Sequence, residues 1–93
     1  MATAVRKPRL VDAQEMAKKH PGTFEAPTQK ELDAIKSKSI VKVCFDNKER
    51  MWAILKKKEG KGWIAELNNS PMEVNYELGE MFYLEPRHIY SIY

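Results

Sequence analysis

The sequence predicts an α+β domain: two N-terminal helices packed on a small antiparallel, strongly bent sheet or β-barrel of about five strands. Three observations predict it. Residues 39–93 break into the short runs SIVKVCF, ERMWAILKK, GWIAELN, MEVNY and MFYLE, each rich in β-branched or aromatic residues and bounded by turn chemistry. Two helix-start signals precede them, at Asp12 and Thr28. The chain has 93 residues, enough for one domain with one core and too few for a large internal active-site cavity.

Residues 1–9 lack periodicity and carry Arg6, Lys7, Pro8 and Arg9, so they read as a loose arm. Residues 10–38 form the helical segment. Asp12-Ala-Gln-Glu15 places a cap residue before a carboxylate, which satisfies free N–H groups at a helix start. This helix is expected to run to about Lys19, where Lys18, Lys19 and His20 suit the negative helix end before Pro21-Gly22 stops it. Thr28-Gln-Lys-Glu31 is a second capping box, and its helix is expected to reach Ser37 with Leu32 and Ile35 buried. Phe24 between the helices reads as the anchor of that linker.

Residues 39–93 form the barrel-like segment. In the first strand, Ser39 to Phe45, Val41, Val43 and Phe45 share one face. Asp46-Asn47-Lys48 turns the chain. The second strand, Glu49 to Lys58, meets the third, Gly62 to Asn68, through Glu59-Gly60-Lys61-Gly62, a type II′ hairpin turn with Gly60 at its first central position. That turn pairs Trp52 with Asn69, Ile54 with Leu67 and Lys56 with Ala65, placing Trp52, Ile54, Ala65 and Leu67 on one face with Trp52 in the core. Met72 to Tyr76 reads as a fourth strand and Met81 to Glu85 as a fifth. A single helical turn at Pro86–Ile89 precedes a last strand, Tyr90 to Tyr93. This order is that of an SH3-like barrel, which removes most sheet edges.

Charge is unevenly spread about a net +3. Lys48, Arg50, Lys56, Lys57, Lys58 and Lys61 crowd the long hairpin, whereas residues 62–86 hold Glu66, Glu73, Glu77, Glu80 and Glu85 and no base. No apolar run approaches the length of a membrane span, and the N-terminus lacks the apolar core of a secretory signal. The single cysteine, Cys44, reads as a buried thiol in a reducing, cytoplasmic setting.

The run from Pro27 to Ile89 resembles the bacterial and phage family catalogued as domain of unknown function 2314. PTQKEL leading into IVKVCF, then ERMWAIL, GWIAELNNSP, LGEMFYL and the late His88-Ile89 carry the resemblance. Gly79-Glu80 stands where the family has a Gly-Asp turn, and the family's Asp-Trp ending is absent. The resemblance covers about two-thirds of the chain and implies the fold and a non-enzymatic role. Such domains recur near bacterial conflict systems, which implies an inhibitor, immunity or anti-defence factor acting on a larger protein.

No catalytic constellation emerges from the residues. His20 and His88 lack metal-ligand spacing, and Gly60-Lys61-Gly62 is a hairpin turn, not a phosphate loop. The chain is therefore expected to be no enzyme, with no cofactor, no metal and no small-molecule substrate. Its expected partner is another protein, either a different chain or its own copy, engaged through Trp63, Tyr76, Glu80 and Tyr83, because tyrosines give contact area with few rotamers to freeze. The alternative is a nucleic acid held by Lys56, Lys57, Lys58 and Lys61 with Trp63 beside them.

Overall fold

The computed structural model describes residues 5–22 and 26–93. Among them the elements run α1 (Ala13–Lys19), α2 (Gln29–Asp33), β1 (Ile40–Phe45), β2 (Glu49–Glu59), β3 (Gly62–Leu67), β4 (Met81–Leu84), a 3-10 turn at Pro86–His88 and β5 (Ser91–Ile92). The strands form one antiparallel sheet in the order β4-β3-β2-β1-β5. The α+β class holds. The sheet is open, however, with β4 and β5 at its two edges, so the barrel expected from the strand order is not closed. Phe24 lies outside the described residues.

Local signals account for most element starts. The Asp12 carboxylate accepts the Glu15 N–H at 3.0 Å and begins α1. Thr28 and Glu31 exchange bonds at 3.2 and 2.9 Å and begin α2. Asp46 and Asn47 both take positive φ, 53° and 57°, and Lys48 N–H returns to Phe45 C=O at 2.9 Å, which tightens the β1–β2 turn. Gly60 has φ +56° while Lys61 does not enter the left-handed region, as a type II′ turn requires.

Two expected elements are cut short by tertiary bonds. α2 ends at Asp33 and not near Ser37, because residues 37–39 are drawn into the edge of β2. Lys38 N–H donates to Leu55 C=O at 2.7 Å, and the Ser37 hydroxyl donates to Lys56 C=O at 2.6 Å. Met72–Tyr76 forms bends and no strand. The Glu49 carboxylate takes the N–H groups of Met72 and Glu73 at 2.9–3.0 Å, and β4 occupies the place beside β3. The last strand shrinks to Ser91–Ile92.

The long hairpin contains a bulge that the turn alone does not announce. Its tip keeps the expected register, Glu59 with Gly62, Lys58 with Trp63 and Lys57 with Ile64. Beyond Lys56 the register slips by one, and Leu55 faces Ala65, Ile54 faces Glu66 and Ala53 faces Leu67. The slip moves Met51, Ala53 and Leu55 into the core beside Ala65, Leu67, Val41 and Val43, all buried. Trp52 and Ile54, expected inside, go to the opposite face and remain half-exposed.

The sheet also curls. A flat sheet would hold β1 and β4 about 14 Å apart across three strand spacings. Yet the Phe45 and Phe82 rings lie 5.0 Å apart, edge to face, with Tyr76 against Phe45 at 4.9 Å. The N-terminal arm, expected loose, is fixed along the narrowed gap from residue 6 onward. Tyr83 N–H donates to Arg6 C=O at 2.9 Å, Asp46 N–H to Arg9 C=O at 2.7 Å, and Val11 N–H to Cys44 C=O at 3.1 Å. Arg6 bridges Phe82 and Leu10 bridges Phe45, so the arm ties one edge of the sheet to the end of β1.

His88 closes the 3-10 turn from inside. Its Nδ1 accepts the Glu85 N–H at 3.1 Å, and the residue is buried. Burial, reinforced by the charge of Arg87, holds its pKa below the ordinary histidine value.

Two measurements follow from these contacts. A Cβ on Gly62 would meet the Leu84 carbonyl oxygen at 2.2 Å and the Tyr83 ring at 2.6 Å, whereas one on Gly60 meets nothing within 4 Å. In urea titrations Gly62→Ala is expected to cost at least about 3 kcal/mol and Gly60→Ala only about 1–2, from its backbone angle; equal costs would contradict the packing. Because the folded state disfavours His88 protonation, its stabilisation is intact above about pH 6.5 and declines as pH falls below that value. The melting temperature should drop between pH 7 and pH 5, and drop less in His88→Gln; parallel profiles would show that His88 is not the responsible group.

Candidate functional site

The structure separates the residues singled out by the sequence. Trp63 is only 8% exposed and belongs to the core, packed near Leu32, Ile35 and Pro86. It cannot serve as the exposed aromatic of the hairpin tip. Lys58 lies over its ring with Nζ 5.4 Å from the centroid. The four lysines of that tip also diverge. Lys58 sits on the Trp63 side, Lys57 pairs with Ile64 on the other, Lys61 lies in the turn, and Lys56 at the bulge binds Glu66 at 3.0 Å. They form no single basic patch.

Tyr76 and Glu80 are brought together, but the chain's own arm occupies them. The Arg6 guanidinium carbon lies 3.7 Å from the Tyr76 ring centroid, and Nη1 binds the Glu80 carboxylate at 2.9 Å and the Asn75 carbonyl oxygen at 2.7 Å. The other Glu80 oxygen accepts the Glu77 N–H at 3.0 Å, fixing the loop that carries both residues. Burial holds the Tyr76 phenol above its usual pKa.

Tyr83 points to the other side of β4. Its hydroxyl donates to Glu85 at 3.2 Å, while Arg87 binds the same carboxylate's other oxygen at 2.8 Å. Lys7 Nζ stands 5.5 Å from the Tyr83 ring centroid. A shallow cavity of about 370 Å³ opens here, lined by Val5, Lys7, Glu59, Gly60, Ile64 and Tyr83. The arm thus alternates: Arg6 turns to Tyr76, and Val5 and Lys7 turn to Tyr83.

The outer face of the sheet is an organised surface that solvent reaches in part. Register places Ile40 and Lys42 of β1, Arg50, Trp52, Ile54 and Lys57 of β2, Ile64 and Glu66 of β3, and Met81 and Tyr83 of β4 on it. Trp52 and Ile54 lie at the centre of a central strand, and both are half-buried there. The Trp52 backbone N–H is held by Asn69 Oδ1, which fixes the strand at the platform. Tyr93 stands edge-on to Trp52 at 6.2 Å and is 89% exposed. Lys42 Nζ lies 5.0 Å from the Trp52 ring centroid, and the Arg50 guanidinium lies 5.0 Å from that of Tyr90. Among the described residues neither Lys42 nor Arg50 enters an ion pair, whereas Glu66 is neutralised by Lys56.

Sequence reasoning missed Trp52, Lys42, Arg50 and Tyr93 as a group. One signal would have found them. Without a slipped residue in β2, the two turns would scatter the apolar side chains of β1, β2 and β3 over both faces and put Glu66 opposite Leu55, on the face of Val41. A single bulge gathers the apolar set on one side and exposes Trp52 on the other.

Among the described residues no cluster of three or more His, Cys, Asp or Glu side chains could hold a metal ion. No helix among them is long and apolar enough to cross a membrane. The chain matches no protein-family model, no curated protein and no solved structure.

The arm contacts make a direct prediction. Arg6→Glu places a charge against Glu80 and removes the guanidinium from Tyr76. Amide exchange at Tyr83 and Asp46 should accelerate roughly tenfold while Val43 and Ala53 keep their protection, because only a local opening is eased. Unchanged exchange at Tyr83 would mean the backbone bonds hold the arm without the side chain.

Proposed function

We infer that the chain is a non-catalytic binding module whose contact surface is the outer face of the curled sheet. One observation carries the reading: Trp52, Ile54 and Ile64 occupy central positions of central strands and stay only half-buried. Burying a whole side chain of this size is worth about 1.5–3 kcal/mol, and a partner recovers the fraction of that which the fold leaves in water. The curled sheet and its arm together form an SH3-like, barrel-like support that keeps this face rigid. Such a module acts by occupying a surface, not by turnover, which suits an inhibitor or immunity factor. Tyr76 and Glu80 are a less favourable surface, since Arg6 already occupies both.

Affinity capture from the source cells tests this, using the wild-type chain, Ile54→Glu and Lys18→Glu, with co-purifying protein and nucleic acid identified before and after nuclease. Ile54→Glu puts a charge at the centre of the face, and Lys18→Glu puts one on exposed α1. A partner lost with the first and retained with the second is expected. A partner retained by a folded Ile54→Glu chain would place the binding surface elsewhere.

A further inference from the structure

We propose that the ligand of the outer face is a single-stranded nucleic acid, with bases stacked at Trp52–Tyr93 and phosphates held by Lys42 and Arg50. The inference rests on the reading of that face as the binding surface, and adds what it binds.

The argument begins with the pairing of groups. A single strand offers flat bases at intervals along an anionic backbone, so its binding sites interleave exposed rings with cations. The Trp52 end of the face has this composition. Trp52 and Tyr93 meet edge to face at 89°, and Tyr93, 89% exposed, offers an open ring to a base beside the half-buried Trp52. Lys42 and Arg50 flank them at 5.0 Å from the Trp52 and Tyr90 rings, with no carboxylate partner among the described residues. Unneutralised cations close to the exposed Tyr93 ring favour a ligand that is both anionic and aromatic.

The rest of the face extends the track. Lys57 pairs with Ile64, which pairs in turn with Tyr83, and Lys7 stands over Tyr83. From strand rise and spacing, Trp52 and Tyr83 are about 15–20 Å apart, a span for a few nucleotides. The acidic groups on this side are largely occupied: Glu66 by Lys56 and Glu85 by Arg87. Glu59 remains at the hairpin tip and marks the end of the track. The inner face and the Tyr76–Glu80 loop take no part, which resolves the mismatch between an acidic run of sequence and an anionic ligand. An acidic protein segment would use the same cations but would gain little from the open rings.

Fluorescence anisotropy with dye-labelled twelve-residue oligo-dT, oligo-rU and a duplex of the same length tests the assignment. Both single strands are expected to bind, and the duplex, whose bases are hidden, to bind more weakly. With three phosphate contacts, raising salt from about 50 to 200 mM should weaken binding about 20-fold. Tyr93→Ala removes an exposed ring that supports no core contact and should weaken binding roughly fivefold or more. Lys42→Glu should weaken it and flatten the salt dependence, whereas Lys18→Glu, the same charge change on α1, should keep the salt slope and most of the affinity. Absence of binding to either single strand at 20 mM salt overturns the proposal, as does equal weakening by Lys42→Glu and Lys18→Glu with no effect of Tyr93→Ala. The two readings fail separately. If the oligonucleotides do not bind but a captured protein is still lost with Ile54→Glu, the face is a protein-binding surface and only the ligand assignment falls.

Discussion

One extra residue in β2 decides what this molecule shows to solvent. The bulge at Lys56 leaves a break in the ladder, and a lost backbone hydrogen bond costs about 0.5–1.5 kcal/mol. Part of that is recovered, because the Lys56 carbonyl accepts the Ser37 hydroxyl. Against it stands the burial of Met51 and Leu55, each contributing about 2–3 kcal/mol, on the same side as Ala65 and Leu67. A straight ladder would set Trp52 and Ile54 with Ala65 and Leu67 but away from Val41 and Val43, so what the bulge gains is one apolar face shared by all three strands. Its by-product is that Trp52 and Ile54 turn outward, so the surface offered to a partner is fixed by the demands of the core.

The curl of the sheet has a related origin. Phe45, Tyr76 and Phe82 pack edge to face from three separate segments, and they meet only if β1 approaches β4. The arm then spans what remains of the gap with backbone bonds at both ends. Arg6 adds a cation over Tyr76 and an ion pair with Glu80, so the charge segregation of the sequence is used inside the molecule, joining a basic N-terminal stretch to an acidic loop. A run of acidic residues read in isolation suggests an external surface; in the fold it is the seat of the chain's own terminus.

What the sequence made legible was whatever is decided within a few residues. The caps at Asp12 and Thr28, the Asp46-Asn47 and Gly60 turns, the alternation of β1 and the helical turn at Pro86 are local bargains between a side chain and its neighbouring backbone, and all are observed. The failures share a longer reach. The Met72–Tyr76 strand lost to a carboxylate at Glu49, the end of α2 lost to the edge of β2, and the loose arm lost to bonds with Tyr83 and Asp46. Trp63 looked exposed because it lies near the lysines of the tip, yet it shares the inner side with Ala65 and Leu67, and Lys58 lies over its ring. The candidate surface was illegible for the same reason, since its members come from β1, β2 and the end of the chain, and only register unites them.

Cys44 shows a last consequence of this register. It faces Arg50 across the β1–β2 ladder, yet is only 5% exposed. The neighbouring segment is anchored by Tyr90 N–H to Lys42 C=O and by the two-residue β5. The Tyr90 side chain bonds the thiol, so lifting of the segment that carries Tyr90 opens the sulfur to thiol reagents. Alkylation kinetics would time the fraying of the last few residues separately from global melting, a native stopwatch beside the aromatic platform.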